Sequence, residues 1–198
     1  MKIQEYSSLR EGIISAGYAE EIDWAQSLKP PVDVNTFAGE YIWVVLNSGM
    51  KNQVARGIAN KVYPAIEAGQ SASTVFRHKA KCAAIDSFWG KREALFAEFL
   101  SLTTDAGRFG FTDPKLLRQR LGCAPSIGKI VRWHLAKNWG VDCAKPDRHL
   151  ERIAAHYKTD THTLCERLAK ESGDRIATVD LVLWRASNLG LIKTRELG

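Results

Sequence analysis

Two short stretches of this 198-residue chain carry residue types whose spacing could do chemistry. The first is the turn Leu121-Gly122-Cys123-Ala124-Pro125-Ser126-Ile127-Gly128-Lys129, with a helical pattern on either side. Ile127 can plug back between the two helices, and Gly128 can let the backbone turn and approach a ligand closely. The helix that follows offers unpaired N–H groups and the positive end of its dipole. Pro125, Ser126, Ile127 and Gly128, with Lys129 and Arg132 adding charge, therefore make a seat for phosphate. The same turn also fits an ordinary αα-hairpin. The second stretch runs from Ala144 to Ile153 and places Asp147 nineteen residues beyond Gly128. An aspartate there caps a helix. It can also stabilise developing positive charge, because capping holds a carboxylate in place. Arg148, His149 and Arg152 follow it as candidates for phosphate contact, whereas His134, on the helix after the turn, reads as a core or partly exposed imidazole.

The charge distribution points the same way. The net charge is +6, and residues 115–152 hold nine Lys/Arg against three acids, while the remainder balances at 19 against 19. A local basic patch implies a polyanion, usually nucleic acid, or else a solvated basic helix face. The first forty residues carry three basic groups against seven acids and are expected to face away from that polyanion. A composition of 45% hydrophobic and 25% charged residues excludes a disordered or low-complexity chain. No apolar run approaches membrane-spanning length, and MKIQEYSSLREG has no apolar signal core, so a cytoplasmic protein is expected and secretion is not. Cys82, Cys123, Cys143 and Cys165 lack CxxC spacing, which argues against zinc and for ordinary reduced thiols.

The elements that must position these residues are helical almost throughout, so an all-α fold is expected. Residues 37–48 form an apolar segment ended by Gly49, with a strand over Ile42–Leu46 as the local alternative. In residues 52–67, Val54, Ile58, Val62 and Ile66 stand four apart. Ser71 or Ser73 is expected to cap a helix running toward Phe88, and residues 91–102 give the next helix. Asp113-Pro114 opens a helix to Arg120, and residues 128–139 form one ended by Gly140. Pro146 or Asp147 opens another to about Tyr157. Thr161 caps one closed by Gly173, and Thr178 caps the last, closed by Gly190.

With these elements in place, Leu121–Ile153 resembles the helix-hairpin-helix, Gly/Pro-rich, catalytic-Asp superfamily of DNA base-excision glycosylases, which includes endonuclease III and the alkyl-purine glycosylases. The family turn Leu-Pro-Gly-φ-Gly is matched by Ala124-Pro125-Ser126-Ile127-Gly128, with Ser126 in place of the first glycine. The family aspartate matches Asp147, and the basic residue that commonly follows it matches Arg152. Upstream, Val45–Val54 through Tyr63-Pro64 resembles the first barrel helices and their loop. Phe88-Trp89-Gly90-Lys91-Arg92 resembles the family's aromatic–basic segment.

The resemblance implies two helical lobes with a cleft between them. One lobe would span 36–138 and carry the hairpin at 113–139, and the other would comprise 1–35 and 139–198. It further implies an enzyme, a DNA N-glycosylase acting as a monomer on double-stranded, nucleoid-associated DNA that contains a modified or damaged base. Asp147 would stabilise the oxocarbenium-like state and position water. The lyase amine of bifunctional members would fall at Ile130, so a monofunctional enzyme is implied, with Lys129 or Lys145 as the substitute amine in the bifunctional alternative. A non-catalytic DNA-binding module is the other alternative. Met50 falls where the family wedges a residue into the gap left by the flipped base, or it is a buried helix-end residue. Asn52 and Gln53 would read the orphaned base or cap the next helix. Tyr41, Trp43, Trp89 and Trp133 are candidates for the base pocket, with core packing as their competing role. One cysteine follows Asp147, so no iron–sulfur cluster and no metal site is expected, although a monovalent cation at the hairpin is compatible with the family.

Overall fold

The apolar run at 37–46 is helical in the computed structural model, which describes residues 1–104, 110–112 and 114–193. Helix α3 (Val34–Asn47) buries Phe37, Ala38, Tyr41, Ile42, Val44, Val45 and Leu46. A helix apolar on most of its circumference must be surrounded, and this explains why its sequence also reads as a buried strand. Asp33 starts it, its side chain accepting from the Thr36 N–H at 2.8 Å.

The chain forms two compact units, Lys29–Gly140 and the combination of Met1–Leu28 with Val141–Gly198. In the first, α3 packs against α4 (Asn52–Glu67), α5 (Lys79–Gly90), α6 (Arg92–Ser101) and α8 (Val131–Asn138), and α7 (Pro114–Leu121) packs on α8. Phe37 is the aromatic centre. Its ring lies 4.3 Å from that of Trp139, stacked, and 5.5, 5.4 and 5.0 Å from those of Phe88, Phe96 and Phe99. The Trp139 indole N–H donates to the Phe37 carbonyl at 3.2 Å. Gly140 ends the hairpin helix at φ +91°, and a Cβ there would stand 2.5 Å from the Lys29 carbonyl carbon and the Pro30 nitrogen. Only glycine permits that crossing. The contact ties Lys29–Pro31 to this unit.

In the second unit α11 (Ile176–Asn188) is central and packs against α1 (Ile3–Ser15), α2 (Ala19–Ser27), α9 (Arg148–His156) and α10 (Thr161–Ser172). Tyr6, fully buried, donates to Asp174 at 2.6 Å, and Arg10 pairs with the same carboxylate at 3.1 Å. Burial and that carboxylate raise the Tyr6 phenol well above its usual range.

Several local expectations are corrected. Ser71 caps only a 3-10 turn, Ala72–Thr74, which Asp86 of α5 fastens by accepting from the Ala72 N–H at 2.8 Å. Helix α5 starts at Lys79, capped by the His78 imidazole, whose Nδ1 accepts from the Lys81 N–H. Asp160, not Thr161, caps α10, accepting from the His162 and Thr163 N–H groups. Thr178 lies inside α11, fully buried, and its hydroxyl donates to Gln26. The α4 stripe buries Val62 and Ile66, while Val54 at its start is 52% exposed. The expected Asp113 cap lies outside the described residues. A two-residue antiparallel pairing, Thr103–Thr104 with Gly110–Phe111, is a minor addition to an all-α fold. Among the described residues no helix is long and apolar enough to cross a membrane.

Burial raises the Glu40 carboxyl above its ordinary range, against the opposing hydrogen bond donated by Asn138 at 2.8 Å. A folded-state pKa above the unfolded value means that the native chain holds more protons than the unfolded chain between the two values, so stability falls as pH rises through that window. Glu40→Gln, a mimic of the protonated acid, should therefore match the parent protein near pH 4 and exceed it in melting temperature at pH 8. Equal pH dependence of the two melting temperatures would contradict this.

Candidate nucleic-acid interface and carboxylate site

Within the unit Lys29–Gly140 the hairpin is built by burying its own turn. Ile127 is 5% exposed, and Leu117, Leu121 and Leu135 of the flanking helices are likewise buried. Its side chain is therefore withdrawn, and at this position only the backbone can meet a ligand. Tyr41 fixes the turn from beneath, its phenol donating to the Pro125 carbonyl at 2.6 Å. Its ring stacks on Phe88 at 3.7 Å, with 7° between the planes. Tyr41 is completely buried, and burial raises its phenol above the ordinary range. This corrects its candidacy for the base pocket, because no face of the ring is open to a base.

The left-handed residue of the turn is Ser126, at φ +60°, while Gly128 is not among the positive-φ glycines. The expectation that Gly128 permits the turn is therefore corrected. A Cβ on Gly128 would meet nothing within 4 Å, so what the glycine leaves bare is the outer surface of the backbone. Helix α8 begins at Val131, later than the expected residue 128, and its first carbonyl acceptor is Gly128, bonded by the Arg132 N–H at 3.0 Å. Among the described residues no acceptor faces the N–H groups of Gly128, Lys129 and Ile130. Three successive donors beside the exposed Lys129 form a concentrated positive edge.

The basic residues are sorted by the fold. Residues 115–140 hold six Lys/Arg and no acid, whereas residues 141–152 hold three of each, so the excess charge belongs to the hairpin. Lys115 and Lys129 are exposed. Arg120 pairs with Glu98. Lys137 is 7% exposed and so leaves the surface patch. The Arg118 guanidinium lies 4.9 Å over the half-buried Trp133 ring. Arg132 is half-buried, with its Nε lacking a hydrogen-bond partner.

The α3–α4 junction presents the remaining candidates of this unit. Met50 is half-buried after Gly49 at φ +70°, and Asn52 and Gln53 are exposed in the first turn of α4. The Ncap is Lys51 and no side chain caps that helix, so Asn52 and Gln53 are not caps. Sequence reasoning missed Lys81. Buried to 9% exposure, its ammonium donates to the Leu46 carbonyl at 2.9 Å and the Ser48 carbonyl at 2.6 Å, closing the negative end of α3 beneath that junction. Burial lowers its pKa. Trp43 is half-buried on α3, and Trp89 is half-buried under the Arg92 guanidinium at 4.3 Å.

The unit Met1–Leu28 with Val141–Gly198 carries the carboxylate. Asp147 is the Ncap of α9. Its Oδ1 accepts from the His149 N–H at 2.9 Å and the Leu150 N–H at 3.2 Å. Its Oδ2 has no partner among the described residues, and the side chain is half-exposed. One oxygen is thus a fixed cap and the other is uncommitted. The segment leading to Asp147 is pinned to α11 twice. Asp142 accepts from the Ala177 N–H at 2.9 Å, and Asp180, 3% exposed, accepts from the Lys145 N–H at 2.9 Å. Arg148 and Arg152 are exposed one helical turn apart on α9. The His149 ring bonds through Nδ1 to Ser187 Oγ at 2.8 Å.

The sequence-derived site therefore divides. Pro125, Ser126, Ile127, Gly128, Lys129, Arg132 and Trp133 are brought together in one unit, and Asp147, Arg148, His149 and Arg152 in the other. Among the described residues no group of three or more His, Cys, Asp or Glu side chains is placed to hold a metal, and the four cysteines are free thiols, with only Cys123 exposed. In comparisons with known proteins, no family model, curated protein or solved structure matches the chain.

A left-handed serine costs about 1 kcal/mol relative to glycine. Ser126→Gly should raise the unfolding free energy by about that amount, read as a higher denaturant midpoint at unchanged slope. A lower midpoint would show that the serine side chain stabilises the turn by more than the backbone strain costs.

Proposed function

We propose that the chain is a monofunctional DNA glycosylase that flips a modified or damaged base out of duplex DNA and hydrolyses its N-glycosidic bond. The observation that carries this reading is the state of Asp147: in a half-exposed side chain, one oxygen is locked by two backbone N–H groups and the other has no partner among the described residues. A carboxylate needed only as a cap does not require a second open oxygen, whereas one that stabilises charge on a reacting sugar does. The hairpin supports the reading from the other unit, with its run of unpaired N–H groups, its bare Gly128 backbone and six basic residues without an acid.

In the proposed reaction the bond from C1′ to the base nitrogen breaks and its electron pair leaves with the base. Positive charge then develops on the sugar, and the free oxygen of Asp147 opposes it. Water adds to C1′ on the open face and gives up a proton, and the base leaves protonated. The Gly128–Ile130 N–H groups and Lys129 hold a phosphate of the same strand, with Arg132 as a second cation. Arg148, His149 and Arg152 hold phosphates beside Asp147, and Met50 fills the space left by the flipped base. This function places the protein with cytoplasmic, nucleoid-associated DNA, acting as a monomer and without a resident metal or cluster.

Incubation with a panel of duplexes, each bearing one modified base, followed by hot alkali and mass spectrometry of the released base, tests the activity directly. Asp147→Asn should keep duplex affinity while base release falls by roughly 10²-fold or more. Full release by that variant would overturn the mechanism. Release from no lesion at normal DNA affinity would favour the non-catalytic DNA-binding module. Borohydride trapping of a covalent adduct would favour the bifunctional alternative. Lys129→Gln should weaken binding to all sequences alike and lower the magnitude of the salt slope by about one. An unchanged slope would remove Lys129 from the phosphate contacts.

A further inference from the structure

We propose that the exposed surface formed by the α3–α4 junction and the start of α5 is a second contact for the sugar-phosphate backbone of duplex DNA, made by Lys51, Arg77, His78 and Lys79. This role rests on the DNA-binding part of the reading above and not on base release, and it belongs wholly to the unit Lys29–Gly140. Residues 48–85 hold six Lys/Arg against one acid, Glu67, a local excess concealed by the even balance of charge outside residues 115–152.

Both α4 and α5 pack on α3 and begin where α3 ends. The Tyr63 phenol, late in α4, donates to the Gly39 carbonyl near the start of α3 at 2.8 Å, so α4 runs back along α3. Phe88, late in α5, meets Phe37 near the start of α3 at 5.5 Å between ring centres. Lys81, in the first turn of α5, reaches the other end of α3, donating to the Leu46 and Ser48 carbonyls. Helix α5 is therefore also antiparallel to α3, and one buried ammonium joins its start to the α3–α4 junction. Lys51 lies three residues from Ser48, and Arg77, His78 and Lys79 lie within four residues of Lys81. Cations from two separate segments thus gather at one end of these three helices.

Lys51, Arg77 and Lys79 are exposed, and none of them has a hydrogen-bond or ion-pair partner among the described residues. The acids of the same helices are placed elsewhere. Glu40 lies in the first half of α3 and accepts from Asn138, Glu67 ends α4, and Asp86 accepts from Ser71 and Ala72. Neither α4 nor α5 has an acid in its first turn. The positive charge is therefore unopposed, as contact with a polyanion requires. His78 adds a neutral donor: its Nδ1 accepts from the Lys81 N–H, which can only donate, so a neutral ring carries its proton on Nε2. A second basic surface on the unit that carries the hairpin suits a partner whose charges repeat along its length, the property of a nucleic-acid backbone.

The test measures binding of an unmodified duplex by the full chain across a range of salt concentrations. Lys51→Gln, Arg77→Gln and Lys79→Gln should each lower the magnitude of the salt slope by about one, and the triple variant by about two to three, with affinity at low salt reduced about tenfold or more. Melting temperatures should stay close to that of the parent, because these side chains have no partners to lose. A control, Lys2→Gln/Lys158→Gln/Lys170→Gln, removes the same charge from exposed positions of the other unit and should leave the slope near the parent value. A parent-like slope in the first triple variant would overturn the inference, and beside a reduced slope in Lys129→Gln it would leave the hairpin reading standing. Equal losses in the two triple variants would also overturn it, since net charge and not this surface would then be at work. Loss of duplex binding in the first triple variant of a chain that releases no base would support the inference while removing the glycosylase. Capture of anionic phosphatidylglycerol vesicles by the parent, without binding to any duplex, would overturn the inference in favour of a membrane surface, and the DNA-acting reading with it.

Discussion

The hydrogen bond from the Tyr41 phenol to the Pro125 carbonyl is the constraint on which the hairpin depends. Tyr41 belongs to the most buried helix of its unit and stacks on Phe88, so its hydroxyl reaches the turn from a rigid base. With Ile127 plugged in beside it, the turn is held from below at two successive points, and the backbone of Gly128–Ile130 is left facing outward. A turn that was not anchored would relax its left-handed serine and scatter the three N–H groups, since a backbone conformation of that cost persists only where its surroundings determine it. The same phenol that looked available for base stacking is thus spent on shaping the turn.

The carboxylate site follows a different logic. Asp147 is positioned by the loop before it, and that loop is held by acids as well as by the burial of Val141, Cys143 and Ala144. Asp142 takes the Ala177 N–H and Asp180 takes the Lys145 N–H, so the start of α11 and the approach to α9 share their hydrogen bonds. This accounts for a buried aspartate in the apolar body of α11, which must be partnered to be tolerated. It also explains why Thr178 is no cap: the start of α11 is satisfied from outside by Asp142, and the threonine hydroxyl is free to reach Gln26.

Charge is similarly reassigned by the fold. A basic strip continuous along the chain becomes a hairpin that carries the whole excess and a second segment that is balanced. Lys137 is removed from the surface, and Arg118 and Arg120 are engaged by Trp133 and Glu98. What remains exposed at the hairpin is a small set of cations led by Lys129 beside a row of backbone donors, a local feature and not a broad electrostatic surface.

Local pattern determined the helices whose signals lie within a few residues. Residues 52–67, the Asp147 cap of α9, the Gly173 and Gly140 stops and the Ile127 plug were all legible, because caps, stops and helical periodicity act over one or two turns. Helices α1 and α2 were not, since neither has a side-chain cap and both contain only a few buried residues. The candidate site was legible to the same extent: Asp147 and the turn could be named from spacing, but Tyr41, Lys81, Asp180 and Ser187 could not be assigned their roles. Their partners lie 33 to 84 residues away. A hydrogen bond between distant residues leaves no periodicity in the sequence. Only tertiary packing decides which tyrosine is buried, which lysine closes a helix and which serine meets an imidazole.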